Sequence, residues 1–396
     1  MNADPYDVII VGAGPGGSAA AAELARRGCR VLLLDKADFP RDKTCGDGLT
    51  PRAVVALGRL GLGELLAGVP RLGRALVVAP DGAAGTTDLQ AGPGVPDYVQ
   101  IVPRLVLDNA LRQHALAAGA EFVSPVHVTR LARRDDGVEV SGEQRGQPVA
   151  FQARAAIVAT GASPALLAQM GLLRHPPRVG LAVRGYFEGL TGLAADQIQF
   201  RFDGVPMPGY AWIFPTSAST ANIGLGLFVG QGGRALESAR APQSARAAFE
   251  HWRQWPAVRQ TLGDARLAGP LKGFPIRADF LDSPTVAERV LVVGEAAGLV
   301  NPLTGDGIDF ALESGLLAAE HLAAQLAAGD LSARALAGYA RALRRRYTTL
   351  FYFSLGVRRF ALGHPRLLNR LVREMPGHPR LVRGLIWVLL GRTDEG

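Results

Sequence analysis

Residues 12–17 constrain the fold of this chain more than any other segment. They have the spacing G-x-G-x-x-G and join an apolar run at 7–11 to an alanine-rich, helix-like segment at 18–27. At a strand-to-helix turn, such glycines permit a tight bend and let the backbone approach a pyrophosphate. The sequence therefore predicts a Rossmann-type βαβ unit that binds a dinucleotide.

An acidic residue completes this first motif. Asp35 follows a second apolar run at 31–34, where a carboxylate can hold ribose hydroxyls. The free N–H groups at the start of the helix favour the anion. The cofactor-binding residues predicted here are Gly12, Gly14, Pro15, Gly16, Gly17, Asp35 and Lys36.

A second motif, at 294–308, decides which dinucleotide is expected. It follows an apolar strand at 290–293 and precedes a helix predicted at 307–326. Backbone N–H groups of a turn at 304–307 would stabilise negative charge on a reduced flavin ring. The sequence therefore predicts FAD, with contacts from Gly294, Glu295, Pro302, Gly305, Asp306, Gly307 and Ile308.

The order of the remaining segments indicates an α/β protein with an α+β second domain. Residues 71–99 and 166–274 are rich in Gly, Pro and strand-forming residues, which favours a mostly antiparallel sheet. We expect a discontinuous FAD-binding domain (1–70, 100–165 and 275–335), an inserted substrate domain (71–99 and 166–274) and a helical C-terminal segment (336–396). Residues 121–131 are predicted as one strand and 137–152 as a hairpin.

The net charge of +8 is concentrated at the C-terminus. From Arg341 onward, twelve arginines face three carboxylates, and Leu381, Leu385 and Val388 have helical spacing. An amphipathic basic helix is typical of peripheral contact with an anionic membrane. A helical cap packed on the body is the alternative, and both stay open. No nucleic-acid motif occurs, so no nucleic-acid partner is expected.

The cysteine and histidine content limits the expected cellular location of the protein and the kinds of site that it can carry. Two cysteines exclude a disulfide framework, and the chain opens without a signal-like segment. We therefore expect a cytoplasmic protein, with the inner face of the cell membrane left open. None of the seven histidines has metal-ligand spacing, so no metal is predicted. The oligomeric state is open.

Four stretches resemble the geranylgeranyl reductase family of flavoproteins: 11–19, 40–53, 209–215 and 294–311. That family belongs to a larger group that includes aromatic hydroxylases of the para-hydroxybenzoate hydroxylase type. Residues 39–53 are especially similar to bacterial menaquinone reductases. The resemblance implies an FAD-dependent reductase that saturates double bonds of a polyprenyl lipid, such as the menaquinone side chain or a geranylgeranyl group.

The resemblance also implies further flavin contacts. It places Arg104, with Asp108 nearby, close to the flavin phosphates or ribityl chain. The added contacts are Arg41, Cys45, Gly46, Arg104, Val128, Thr160 and Gly161. Two residues depart from the family pattern, since Glu295 and Thr160 stand where relatives carry Asp. The source of electrons therefore stays open among NADPH, ferredoxin and a quinol, because no second Rossmann motif is apparent.

Residues 209–215 predict the substrate site. Strand alternation puts Tyr210, Trp212 and Phe214 on one face, as an apolar slot for an isoprene unit. Ordinary packing in the sheet core is the alternative. Cys45 is the catalytic candidate, because Arg41 and Lys43 would lower its pKa and make it a proton donor or redox partner. Packing beneath the flavin is the alternative for this residue.

Two other functions are compatible with these motifs. One is an FAD-dependent monooxygenase or halogenase acting on an aromatic or natural-product substrate. Halogenases tend to carry Trp-x-Trp-x-x-Pro, whereas Tyr210 holds the first position here. The other is a membrane-surface protein that keeps FAD for its structure alone.

Overall fold

The structure of the chain is a computed structural model that describes residues 6–90, 94–173, 175–177, 179–228, 242–386, 388 and 390. Parts of all three predicted domains lie outside the described residues, at 1–5, 91–93, 229–241 and 391–396.

Strands and helices alternate in the first half of the described chain, and helices dominate its end. The strands are β1 Tyr6–Val11, β2 Val31–Leu34, β3 Gly48–Leu49, β4 Arg74–Val78, β5 Ala84–Asp88, β6 Gln100–Ile101, β7 Glu121–Val123, β8 His127–Arg133, β9 Val138–Gln144, β10 Gln147–Val158, β11 Val179–Glu188, β12 Gln197–Arg201, β13 Gly209–Pro215, β14 Thr220–Leu227, β15 Arg266–Arg277, β16 Val286–Ala287 and β17 Val290–Val292. The helices are α1 Pro15–Arg26, α2 Pro51–Arg59, α3 Arg104–Ala117, α4 Ala165–Gln169, α5 Pro242–Arg253, α6 Pro256–Leu262, α7 Ile308–Ala328, α8 Ala333–Val357, α9 Pro365–Glu374 and α10 Pro379–Ile386.

The first sheet has the order β16-β17-β10-β1-β2-β7. Its pairings from β17 to β7 are parallel, and β8 and β9 extend β10 as antiparallel strands. The apolar runs of β1, β2 and β10 are buried, as expected for parallel strands covered on both faces. The predicted Rossmann-type unit and the 137–152 hairpin are confirmed.

Close contacts between backbones position the two helices at the cofactor end of this sheet. Gly12 has φ +111°, and a Cβ there would lie 2.2 Å from the carbonyl oxygen of Ala159. Helix α1 crosses α7 just as tightly, since a Cβ on Gly315 would lie 2.3 Å from the carbonyl oxygen of Gly16. The first turn of α1 therefore lies against the start of α7.

The second sheet has the order β15-β11-β14-β13-β12-β4-β5 and is antiparallel except for the β12–β4 pair. One face packs on α5 and α6, where Ala211 and Ile213 of β13 meet Phe249 and Trp252. The opposite face carries the alternate residues of β13. The predicted fold class, a Rossmann-type domain with a mostly antiparallel sheet, is confirmed, whereas the domain boundaries stay a prediction.

One predicted strand is wrong. Residues 121–131 form two strands, β7 and β8, which belong to different ladders. Pro125 lies between them and has no N–H to donate to a ladder. The chain therefore leaves the parallel sheet after Val123 and starts an antiparallel pairing with β9.

The C-terminal helices pack on both sheets. Tyr339, Tyr347 and Phe351 of α8 are buried in the core of the first sheet, and Leu368 and Val372 of α9 pack near β4 and β5. The predicted helical C-terminal segment is thus confirmed. Within the described chain, none of the helices combines the length and the apolar character needed to cross a bilayer.

Candidate active site

A cavity of about 670 Å³ lies between the two sheets. Among the predicted site residues, all except Gly17 and Pro302 line it. Those that do are Gly12, Gly14, Pro15, Gly16, Asp35, Lys36, Arg41, Cys45, Gly46, Arg104, Val128, Thr160, Gly161, Tyr210, Trp212, Phe214, Gly294, Glu295, Gly305, Asp306, Gly307 and Ile308. Segments far apart in sequence thus meet in one space, while the role of each residue stays a prediction.

The two predicted residues outside the cavity wall have structural positions. A Cβ on Gly17 would lie 1.8 Å from the carbonyl oxygen of Gly12, so this glycine permits the turn itself. The carbonyl oxygen of Pro302 accepts a hydrogen bond of 3.1 Å from Arg358. Pro302 therefore joins the C-terminal helices to the 294–308 segment instead of facing the cavity.

The glycine turn has the form of a pyrophosphate cradle. Gly14 is the N-cap of α1, and because it has no side chain, it leaves the N–H groups of the first helical turn uncapped. A Cβ there would come no nearer than 3.7 Å to a protein atom, the Nη2 of Arg41. Asp35 accepts hydrogen bonds of 2.8 Å from the Ala13 N–H and 2.9 Å from the Ala37 N–H. Open space, free N–H groups and a nearby cation together fit an anionic dinucleotide.

Arg104 is part of a buried ion cluster. It is 4% exposed and donates to both oxygens of Asp108, at 2.6 and 2.7 Å. Asp108 also pairs with Arg41 at 2.9 Å. Burial alone would lower the pKa of Arg104, but Asp108 raises it above its ordinary value, so the cation persists. Arg104 is therefore a buried cation that is held by a carboxylate.

Asn222 links the Cys45 loop to the opposite sheet. Its Nδ2 donates to the Cys45 carbonyl oxygen and to Asp47, both at 2.8 Å, while its Oδ1 accepts from the Trp212 indole at 2.9 Å. Asp47 is fully buried and also accepts from the Tyr186 hydroxyl at 2.5 Å. Burial raises the pKa of Asp47 to about 6.

The expectation that cations lower the pKa of Cys45 is wrong. Burial of the thiol raises its pKa above the ordinary value, and the opposing effect of Arg104 is smaller. Desolvation disfavours the charged form of any acid, and here it outweighs the positive neighbours. Cys45 is therefore a neutral thiol at neutral pH.

The aromatic residues of β13 form one wall of the cavity. Trp212 lies 6.0 Å from Tyr210 and 6.2 Å from Phe214 between ring centroids. Phe200 adds an edge contact to Phe214 at 5.5 Å. Gly224 makes room for the indole, because a Cβ there would lie 2.2 Å from Trp212. Ordinary packing in the sheet core does not fully describe these rings, because they line a cavity and also contact each other.

The polar atoms of this wall are satisfied within the protein. The Tyr210 hydroxyl donates to the Thr304 carbonyl oxygen, and the Trp212 indole donates to Asn222. Tyr210 thus connects the aromatic wall to the turn at 304–307. The cavity surface presented by these rings is left apolar.

Sequence reasoning missed a charged cluster at the cavity. Arg184 is 1% exposed and donates to Asp42 and to the Lys43 carbonyl oxygen, and Lys272 pairs with Asp42 at 2.7 Å. Burial alone would raise the pKa of Asp42, but Lys272 and Arg184 lower it below its ordinary value. The sequence signal for this cluster was Arg184 itself, the one arginine in the otherwise mostly apolar strand β11.

The two departures from the family pattern are accommodated locally. Glu295 pairs with Lys43 at 2.8 Å and accepts from the Arg277 N–H at 3.2 Å. The Thr160 hydroxyl donates to the Ser163 carbonyl oxygen at 3.1 Å. Both side chains are therefore partnered at the edge of the cavity.

Comparison with known proteins identifies the class. A family profile described as an FAD binding domain matches residues 5–179. Together with the sheet order, this match shows an FAD-binding domain, and the reductase relatives described next make the chain an FAD-dependent oxidoreductase. Menaquinone reductase of Mycobacterium tuberculosis is 37% identical over 333 residues, covering 81% of this chain and 77% of the relative. The chain belongs to the geranylgeranyl reductase family of flavoproteins.

A more distant relative by sequence agrees with this assignment, and solved structures share the fold. Digeranylgeranylglycerophospholipid reductase 1 of Methanothermobacter thermautotrophicus is 31% identical over 350 residues, covering 85% of this chain and 82% of the relative. A geranylgeranyl bacteriochlorophyll reductase-like structure from Thermoplasma acidophilum superimposes with a TM-score of 0.80 at 20% identity, covering 93% and 91% of the two chains. A flavin-dependent brominase gives 0.77 at 20% identity, covering 98% and 93%, which indicates a shared fold alone.

Proposed function

We propose that this FAD-dependent oxidoreductase saturates carbon–carbon double bonds of a polyprenyl lipid, such as the menaquinone side chain or a geranylgeranyl group. One observation carries the proposal: a single cavity joins a nucleotide cradle at Gly14 to an apolar wall at Tyr210, Trp212 and Phe214. The names of the relatives, menaquinone reductase and digeranylgeranylglycerophospholipid reductase, support this substrate class.

The cradle and the ion clusters would hold FAD. Gly14 and the start of α1 would take the pyrophosphate, Asp35 the ribose, and Arg41 the neighbouring negative charge. The turn at 304–307 lines the cavity and would lie against the flavin ring. When bound, FAD supplies hydride transfer to the substrate.

The aromatic wall would bind the lipid chain by burial. An isoprene unit offers no charge, so its binding depends on apolar area removed from water, at about 25 cal/mol per Å². Asn222 and Asp47 fix the orientation of Trp212 and of the Cys45 loop. A fixed, dry slot holds the alkene still while water is excluded. Cys45 stays a candidate for a proton-donating role at this slot.

The C-terminal helices would lie at a membrane surface. Tyr352, Phe360 and Leu381 are 63%, 64% and 71% exposed, and Leu367 and Leu371 are also exposed on α9. Exposed Arg366, Arg370 and Arg380 belong to the same segment. Apolar side chains beside arginines suit the inner face of an anionic cell membrane.

This segment is also close to the proposed lipid slot. Ile386 and Leu390 pack against the same buried cluster as Phe200 and Phe214, and Arg358 lies over Phe228 at 5.6 Å. Since Phe200, Phe214 and Phe228 line the cavity, a lipid tail leaving the bilayer would have a short apolar route to it. NADPH, ferredoxin or a quinol would then supply the electrons.

A deletion strain tests the proposed function. Without the gene, prenyl lipids should retain extra double bonds, each lowering the lipid mass by about two hydrogens. The wild-type chain should restore saturation, whereas Trp212→Ala should not. Trp255→Ala serves as the matched control, because Trp255 is exposed and outside the cavity. Prenyl lipids with unchanged saturation in the deletion strain would contradict the proposal.

A further inference from the structure

A row of buried carboxyl groups leads away from the cavity along α7. Asp306 lines the cavity in the turn before the helix, and Asp309 and Glu313 follow at helical spacing on one face. Two guanidinium groups meet this row. Arg52 of α2 lies 4.0 Å from Asp309 and 2.6 Å from Glu313, and Arg346 of α8 lies 3.4 Å from Glu313.

This row contains more carboxyl groups than guanidinium groups to pair with them. Glu313 is paired with both cations, and it also accepts from the Tyr347 hydroxyl. Asp309 faces Arg52 and accepts a hydrogen bond of 3.1 Å from Thr50. Among the described residues, Asp306 has no ion-pair partner. With three carboxyls and two guanidiniums, one carboxyl lacks a cation. Burial raises the pKa of both Asp306 and Asp309, and of the two only Asp306 lines the cavity.

We propose that Asp306 donates the proton that completes reduction of the alkene. This inference rests on the proposed function. The alkene π bond breaks and two C–H bonds form. The hydride, with its electron pair, comes from reduced FAD, and the proton comes from the Asp306 carboxyl group. The carboxylate left behind regains a proton from water. A proton placed on the less substituted carbon leaves the tertiary carbon to accept the hydride.

The surroundings of Asp306 suit this role. Burial and then the charge of Asp309 raise the pKa of Asp306 to about 7, while Thr304 and Arg52 oppose the shift. A general acid works best when its pKa lies near the working pH. On the cavity side, the Tyr210 hydroxyl is engaged with the Thr304 carbonyl oxygen. Asp306 therefore sits beside the apolar wall where the alkene would bind.

Cys45 is the competing donor, and its chemistry is weaker. Burial raises the pKa of its thiol above an ordinary value that already exceeds neutrality. At neutral pH the Asp306 carboxyl therefore gives up its proton more readily than the Cys45 thiol. The two candidates also differ in the pH dependence that they would impose.

The test compares Asp306→Asn with Asp264→Asn, a matched control on an exposed loop. Reduced holoprotein is mixed anaerobically with a geranylgeranyl lipid, and flavin reoxidation is followed in a single turnover. We expect Asp306→Asn to slow this step by about 10² to 10⁴-fold, and Asp264→Asn to leave it unchanged. FAD affinity and the flavin midpoint potential are measured in both variants, so that only a rate loss larger than these changes account for is assigned to the missing proton donor.

The wild-type protein gives a second test that needs no variant to fold. Because the donor must be protonated, the single-turnover rate should fall as the pH rises through about 7. An infrared difference spectrum of the FAD-free protein should show a protonated carboxyl band that titrates in the same range and is lost in Asp306→Asn. Asp306→Glu should restore part of the rate.

The outcomes separate this inference from the proposed function. Wild-type turnover together with an equally fast Asp306→Asn variant would overturn the inference and leave the proposed function standing. A pH-independent wild-type rate would also overturn it. A wild-type protein that binds FAD but reduces no prenyl lipid would overturn the proposed function, even if the carboxyl band titrates near pH 7.

Discussion

The Trp212 indole donates a 2.9 Å hydrogen bond to the side-chain oxygen of Asn222. This bond fixes which way the Asn222 amide points, and its nitrogen is then directed at Cys45 and Asp47. One buried amide thereby sets the position of the aromatic wall and of the loop opposite it.

Removing the Asn222 amide should loosen both sides of the cavity. Asn222→Ala leaves the Trp212 N–H without an acceptor and two buried oxygens with one donor fewer. An unsatisfied buried donor costs about 1–3 kcal/mol, so loss of the acceptor for Trp212 alone should lower the free energy of unfolding by about that amount. Denaturant titration measures it, with Asn109→Ala on α3 as the control. Equal stability of both variants would contradict the role given to Asn222.

The local motifs were predictable from sequence because their geometry is local. The glycine turn, Asp35 and the helix at Ile308 depend on residues a few positions apart, and most of these residues line the cavity. A single strand was predicted at 121–131 because the apolar periodicity continues past Pro125. The hydrogen-bonded pairing of β7 with β2 ends before that residue, and β8 pairs with β9 instead.

The remaining parts of the site depend on long-range contacts. Tyr186 meets Asp47 across 139 positions, and Asn222 meets Asp47 across 175 positions. Such pairings depend on how the second sheet packs on the first. The prediction of a lowered pKa for Cys45 failed for a related reason. Nearby cations can be read from the sequence, whereas the burial that raises this pKa cannot.

Gly12 and Gly14 should respond differently to alanine. Gly12→Ala would place a methyl group 2.2 Å from the Ala159 carbonyl oxygen, at φ +111°, so the protein should misfold or lose most of its stability. Gly14→Ala has space and should fold. It should bind FAD at least about tenfold more weakly, because the methyl group occupies the approach of the pyrophosphate.

FAD titration by flavin fluorescence, together with thermal unfolding of the FAD-free protein, distinguishes these two effects. Gly58→Ala is the matched control, since a Cβ there meets no atom within 4 Å inside α2. It should bind FAD normally and gain up to about 1 kcal/mol of stability. Normal FAD affinity in Gly14→Ala would contradict the assignment of the cradle.

Asp47 should make stability depend on pH. Its pKa is about 6 in the folded protein and about 3.9 in an unfolded chain. Between these values the folded state binds more protons, so the free energy of unfolding falls as pH rises. The stability difference between wild type and Asp47→Asn should shift by up to about 3 kcal/mol from about pH 4 to pH 7.

Denaturant titrations of the FAD-free proteins at several pH values measure this difference, and Asp264→Asn controls for general charge effects. A difference that stays constant from about pH 4 to pH 7 would mean that Asp47 titrates normally.

Charge reversal should detach the C-terminal helices from anionic lipid. Each arginine near such a surface contributes about 1 kcal/mol, so replacing Arg366, Arg370 and Arg380 by Glu should weaken vesicle binding at least about 100-fold. Co-sedimentation with phosphatidylcholine vesicles, with and without phosphatidylglycerol, measures this. The matched control reverses exposed Arg130, Arg145 and Arg259. Equal binding by both triple variants would argue against a specific membrane face.

The most direct test of the proposed function is anaerobic mixing of the reduced FAD-bound protein with a polyprenyl lipid. The flavin absorbance should return to the oxidised spectrum, and each flavin reoxidised should add two hydrogens to the lipid, measured by mass spectrometry. A flavin that stays reduced until oxygen is admitted, with the lipid mass unchanged, would contradict a prenyl reductase and favour oxygen-dependent chemistry.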